Sequence, residues 1–210
     1  PATFPEVVRF IDKFVTTDSS ITEVESYVSF QEHNHTRSCQ REIRGQKVCR
    51  FHIPYPPLPY TQLLLPLPEN IDKAELKKHQ DNYDKIQNLL NAKLSNEDLS
   101  HLVTYNQFIR DERINLTNEE YILALRSSLK KPQIFLKRTF KDKATNAFNT
   151  RILAMQRANM DIQFVLDAYA CVAYIIDYIN KSHRGVSRLL QEAMEEIKNG
   201  NFSVKQRLQH

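Results

Sequence analysis

At 210 residues with 41% hydrophobic side chains, the chain is long enough for one domain with a sizeable core or two small ones, which sets disorder aside. It has no uncharged apolar run of about 18 residues and no basic, then apolar, N-terminal leader, so neither a membrane span nor a secretory signal is expected and the location expected is intracellular. A net charge of +4 is too mild to name a partner, and three cysteines are too few and too unevenly placed for a disulfide framework.

In chain order, Val7, Val8, Phe10, Ile11 and Phe14 recur at helical spacing. Ser19-Ser20 then punctuates before a second short helix expected within Ile21 to Phe30. The chain starts at Pro1 inside this periodic pattern, so a fragment of a longer protein is expected. Gln31 to Arg50 turns polar, basic and rich in His and Cys, with Gly45 in a turn-like setting, and reads as a loop or hairpin that something must organise.

Residues 54–68 contain six of the nine prolines, which exclude a helix interior or a central strand. With Tyr55, Tyr60, Leu63, Leu64 and Leu65 this stretch is too apolar for a free linker, so an extended connector packed along a domain surface is expected. Three helices are expected next: Ile71 to Leu94, with Tyr83, Ile86, Leu90 and Leu94 on one face; Asn96 to Arg110; and Asn118 to Leu129, with Thr117 as N-cap and Glu120 three residues on. Together they read as a helical insert.

Charge is distributed unevenly. Residues 126–143 carry seven bases against one acid, whereas residues 69–120 carry eleven acids against seven bases. Phe135 and Phe140 interleave with the bases, and that mixture fits a surface meeting a phosphate backbone, although it also fits a solvated helix end and loop. Lys137, Arg138, Lys141 and Lys143 are the candidate contacts there.

From Ala158 to Leu166, Met160, Ile162, Phe164 and Leu166 alternate with Asn159, Asp161 and Gln163, the period of a strand. A helix over 168–181 follows, Gly185 breaks the chain, and Val186 to Ile197 has the rhythm of a packed amphipathic helix. Cys171, in an apolar run, reads as core filler.

Two constellations carry chemistry. Tyr174 and Tyr178 lie one helical turn apart, with Lys181 extending the same face. A phenol can attack a phosphodiester when a cation polarises the phosphate, and a nearby ammonium favours the phenolate. By spacing alone, such a pair is more often half-buried packing than catalysis. The second constellation is His33, His35, Cys39 and Cys49, four side chains able to ligate Zn²⁺ within a short basic loop, in which His52 could replace one of the first two histidines. A structural zinc would display Arg37, Arg41, Arg44, Lys47 and Arg50 towards DNA; otherwise these are reduced thiols and surface histidines.

The stretch from Arg157 to Asp167, continued by Tyr169 to Ser182 and Arg184-Gly185, closely resembles the tyrosine block of Helitron-type rolling-circle transposases, in their replication-initiator (HUH-type nuclease) domain. Gln31, His33, His35, Thr36 and Cys39, then Cys49-Arg50-Phe51 with Pro54, Pro56 and Pro57, resemble that family's His/Cys segment. Val8 to Val15 and Lys137-Arg138-Thr139 also fit, whereas the middle of the chain matches loosely.

The resemblance implies that Tyr174 and Tyr178 are nicking nucleophiles, with Lys181 as their cationic neighbour, and that single-stranded DNA is cut and transferred through a tyrosine-phosphate bond. It also implies a Mg²⁺ or Mn²⁺ ion in the intact nuclease, a helicase domain on the same parent polypeptide, and a nuclear location. The family's His-hydrophobe-His metal motif is expected upstream of Pro1, because His33-Asn34-His35 has a polar residue between its histidines and belongs to the other block. Nicking by this chain alone is therefore expected to be negligible. A cysteine often found in the family's preceding stretch is replaced here by Thr16-Thr17.

The fold expected is α+β and helix-rich: a nuclease-domain fragment with a small antiparallel sheet, a zinc-finger-like loop and a helical insert. Its parts are residues 1–68 (N-terminal helices, His/Cys segment and Pro-rich connector), 69–131 (insert), 132–198 (basic stretch, strand and tyrosine helix) and 199–210 (tail). The rival reading is a non-catalytic, zinc-stabilised DNA-binding module, a degenerate or domesticated transposon remnant. With three glycines in all, none placed for a Gly-x4-Gly-Lys loop, the chain carries no nucleotide-binding motif of a helicase.

Overall fold

A computed structural model describes residues 4–43, 46–92, 104–162, 164, 171–172 and 175–176. The described residues are mixed helix and small antiparallel sheet, the helix-rich α+β class expected. Two compact units divide the chain, Pro1–Phe164 and Val165–His210. In the second, the described pairs 171–172 and 175–176 are helical. Tyr174, Tyr178 and Lys181 lie outside the described residues, as do Gln163 and the segment 186–197.

The first unit begins with α1 (Phe4–Phe14), which buries Ile11 and leads into the buried Val15. The region read as a second helix becomes α2 (Glu25–Val28), flanked by single 3₁₀ turns at Thr22–Val24 and Ser29–Gln31. The polar His/Cys segment is a hairpin of β1 (Gln40–Ile43) and β2 (Gln46–Cys49), antiparallel, with Gln40 opposite Cys49.

The Pro-rich connector packs closely. Ile53, Pro54, Pro56, Pro57 and Leu58 are buried, and the proline-free Gln62–Leu64 forms β3, paired antiparallel with β4 (Gln133–Phe135). Each strand of this two-stranded sheet has one open edge, so the prolines nearby interrupt no central ladder.

The acidic middle of the chain supplies α3 (Lys73–Asn91), α4 (Tyr105–Ile109) and α5 (Asn118–Ser127). Their starts follow from their caps. The Asp72 carboxylate accepts the Ala74 and Glu75 amides at 2.8 and 3.2 Å. Thr104 with Gln107, and Thr117 with Glu120, close reciprocal capping boxes. Ile86, Leu89 and Leu90 of α3 meet Tyr121, Ala124 and Leu125 of α5 in the main core. Leu58, Leu64 and Phe140 join the same cluster, so the helices read as an insert share one core with the connector and the basic stretch. The buried Tyr121 hydroxyl reinforces this, donating to the Pro57 carbonyl at 2.9 Å.

A smaller core gathers Val24, Val28, Phe148 and Leu153. Leu153 lies on α6 (Thr150–Gln156), which Asn149 starts by accepting the Ile152 amide at 3.0 Å. Thr16 and Phe148 exchange both backbone hydrogen bonds at 2.9 Å, tying the end of α1 to this core.

The strand expected over 158–166 does not form in its described part: residues 157–162 and 164 are irregular. The fully buried Gln31 explains the difference, because its side-chain amide donates to the Ala158 carbonyl at 3.2 Å and its oxygen accepts the Met160 amide at 3.4 Å. Groups that a neighbouring strand would have paired are thus met by one side chain.

Candidate metal centre and basic surface

Three backbone links fix the approach to the His/Cys cluster. Asn146 donates to the Gln31 carbonyl at 2.8 Å, Glu32 bridges Thr145, and His33 donates to the Ala144 carbonyl at 2.9 Å. The chain then turns through Thr36 so that the buried Cys39 sits immediately before β1, while Cys49 closes β2 on the opposite arm. The Arg50 amide, donating to the Cys39 carbonyl at 2.8 Å, holds the two arms together at that end.

This geometry brings all four sequence-predicted ligands together. One donor atom each from His33, His35, Cys39 and Cys49 lies within 4.8 Å of the others. Cys39 Sγ is 3.6 Å from His35 Nδ1, and Cys49 Sγ is 3.6 Å from His33 Nε2. Tetrahedral zinc, with Zn–S of about 2.3 Å and Zn–N of about 2.0–2.1 Å, places its sulfur and nitrogen ligands about 3.6 Å apart. The residues therefore fit a metal ion such as zinc, and two thiolates with two imidazoles are the donor set that tetrahedral zinc prefers. His52 is not part of the converging set.

Surrounding groups suit the ligand states. Thr36 brackets the Cys39 sulfur with its backbone, the amide 3.3 Å and the carbonyl 3.2 Å from Sγ. Desolvation, with His35 alongside, holds the His33 imidazole below the ordinary histidine range, favouring the neutral form that ligates. Thr36, named in the sequence through the resemblance of the His/Cys segment, acts on Cys39 through its backbone.

The basic stretch is organised differently from the displayed row expected. Arg138 is 7% exposed and donates Nη1 to the Asp142 carbonyl and, at 2.6 Å, to the Thr145 carbonyl. Its guanidinium carbon lies 4.5 Å from the Tyr55 ring centroid. Burial pulls Arg138 down to about 10, still charged at neutral pH. Lys143 is half-buried, donates to the Leu90 carbonyl at 2.7 Å and lies over Phe140; burial lowers it too. Arg126 donates to the carbonyls of Leu65 and Pro66 at 2.9 and 3.2 Å. Phe140 is core, and Phe135 packs against the core.

These three bases thus clamp the protein's own carbonyls: in the turn at Asp142 and Thr145, at the C-terminal end of α3, and at the proline-flanked Leu65 and Pro66. As phosphate contacts, Arg138 and Lys143 are corrected. Lys137 and Lys141 are exposed, and both act on Asp18, whose carboxylate is held below its usual range chiefly by the Ser20 hydroxyl and further by these lysines. Arg37 and Arg50 are exposed beside the metal centre, Arg37 between its ligands and Arg50 directly after Cys49.

Among the described residues, no helix is long and apolar enough to cross a membrane. No protein-family model, curated protein or solved structure matches the chain.

Proposed function

We propose that the chain is the DNA-handling part of a Helitron-type rolling-circle transposase, in which a structural zinc ion held by His33, His35, Cys39 and Cys49 fixes a basic hairpin against single-stranded DNA. The observation that carries the zinc is the convergence of these four donors at tetrahedral spacing. They are the histidines and cysteines through which the front of the chain resembles that family. When bound, the ion supplies a cross-link between the two arms of the hairpin, while the chain's own arginines meet phosphate.

The nicking role of Tyr174, Tyr178 and Lys181, and the HUH-type fold around them, rest on the resemblance of the tyrosine block. The metal centre also supports a second reading, a zinc-stabilised DNA-binding module without catalysis, because the cluster is complete within residues 33–49 and needs neither tyrosine.

One experiment separates the readings. The zinc-loaded chain, alone and joined to a segment that supplies the family's His-hydrophobe-His motif, is incubated with labelled single-stranded DNA and Mg²⁺ or Mn²⁺, alongside Tyr174→Phe and Tyr178→Phe, and scored for binding and for a covalent protein–DNA adduct. Binding with an adduct that the tyrosine changes remove supports the transposase; binding with no adduct favours the module. Absence of binding by the zinc-loaded chain refutes both.

A further inference from the structure

The metal centre ends in Arg50-Phe51-His52, and all three side chains are exposed, Phe51 at 46%. The residues that follow, Ile53 and Pro54, are buried, so an apolar environment lies close by in the chain. Phe51 is nevertheless held outside it. His52 has a left-handed backbone, φ 58°, a conformation disfavoured for a residue with a Cβ. Its amide closes the turn on the Cys49 carbonyl at 3.0 Å.

The Phe51 ring is also oriented. The Arg50 guanidinium carbon lies 4.5 Å from its centroid, and His33 meets it in an edge arrangement with centroids 5.6 Å apart at 73°. The result is a ring layered with a guanidinium and braced by a candidate metal ligand. Residues 31–52 carry five bases and two acids. Two thiolates, two neutral imidazoles and a divalent ion sum to zero charge, so metal loading leaves that positive surplus intact.

We propose that Phe51, layered with Arg50, is a stacking platform for one unpaired base of single-stranded DNA, with the neighbouring arginines taking the flanking phosphates. The inference rests on the nucleic-acid reading above and adds to it the residue that distinguishes single strands from duplex. In a duplex both faces of each base are covered by neighbours, whereas an unpaired base has a free π-face for a ring or a guanidinium. The positive surroundings match the phosphates on either side of that base.

The chain contains no tryptophan, so Phe51→Trp installs a single fluorescent reporter at the platform. The zinc-loaded protein, Phe51→Trp and Phe51→Leu are titrated with an oligo-dT single strand, the same strand carrying an abasic site, and a duplex. We expect Phe51→Trp to be quenched by the single strand and not by the duplex. Phe51→Leu keeps apolar bulk against His33 but has no π-face. It should retain its zinc and bind the single strand about 5- to 100-fold more weakly, and the abasic site should weaken wild type more than it weakens Phe51→Leu.

Unchanged binding by Phe51→Leu with no quenching of Phe51→Trp overturns the platform and leaves the DNA-binding reading standing. Loss of zinc from Phe51→Leu also overturns it, making Phe51 a support for His33. If wild type binds no oligonucleotide at all, the functional reading fails and the platform fails with it.

Discussion

Replacing Cys49 by serine should weaken zinc binding by about 10²- to 10³-fold. Structural zinc sites hold their metal with about 10–16 kcal/mol, and an equal share among four ligands is about 2.5–4 kcal/mol each. The same perturbation should loosen the hairpin. Cys39 is buried at the base of the hairpin, Gln40, Arg41 and Glu42 are exposed, and a lone two-stranded hairpin is marginal in water. The assay is competition of apo-protein against a chromophoric zinc chelator, paired with the visible spectrum of the Co²⁺ form, which reports a tetrahedral site with sulfur ligands. Cys39→Ser, Cys49→Ser, His33→Ala and His35→Ala should each fall by a comparable factor from one zinc per chain. His52→Ala, outside the converging set, should stay within about twofold of wild type. Equal damage from His52→Ala and Cys49→Ser, or wild-type affinity in Cys49→Ser, refutes this ligand assignment.

The other predictions probe the clamps, the surface and the caps. Arg138→Met should destabilise the fold by about 1–3 kcal/mol in urea unfolding, because the Thr145 carbonyl loses its side-chain donor and the Asp142 carbonyl keeps only the Thr145 amide; a loss below about 1 kcal/mol counts against a clamp. Lys137→Gln with Lys141→Gln should leave that stability nearly unchanged while lowering the slope of log affinity for single-stranded DNA against log salt by about 1.4; an unaltered slope removes these lysines from the interface. Tyr121→Phe should cost about 1–2 kcal/mol by leaving the Pro57 carbonyl without its donor, also measured in urea. Glu120 is held below the ordinary glutamate range, first by the Thr117 amide and then by Lys78 and the Thr117 hydroxyl. Its stabilisation is therefore complete above about pH 4.5 and lost as pH falls through its lower folded value. Thermal melts of Glu120→Gln should thus show a shallower decline than wild type on the acid side, and parallel declines would exclude the capping carboxylate as a cause.

What the sequence revealed is local physics. The Thr117 and Glu120 box was legible because a capping box spans three residues and needs no distant partner. The apolar rhythm of α3 was legible for the same reason, since Ile86 and Leu90 lie on one face whatever covers them. The four metal ligands were legible as residue types in a short loop too polar to hold itself. What stayed hidden depended on partners remote in sequence. Gln31 pairing with Ala158 and Met160 replaced an expected strand, and no periodicity reports a glutamine about 130 residues away. The basic stretch misled for a related reason. Charge density was read as surface because long cations are seldom buried, yet a turn, a helix end and a proline-flanked segment each leave carbonyls that a guanidinium or ammonium can satisfy.

Burial of Arg138 also bears on how the candidate site works. The segment clamped by Arg138, residues 142–145, is the one whose backbone receives Glu32 and His33. Tyr55, beneath the same guanidinium, donates its amide to the Lys143 carbonyl at 2.7 Å, a few residues beyond Cys49. The hairpin is thus anchored at both ends to one stretch of backbone that a buried cation holds in shape. Metal affinity should respond to that anchor as well as to the ligands. Arg138→Lys retains the charge but replaces the planar Nη1, whose two fixed hydrogens meet both carbonyls, with a shorter and freely rotating ammonium. It should lower zinc affinity measurably, by about tenfold on the scale of supporting-shell changes, while all four ligands remain in place. If zinc affinity in Arg138→Lys equals wild type under conditions where the protein is fully folded, the metal loop organises itself and the clamp serves the core alone.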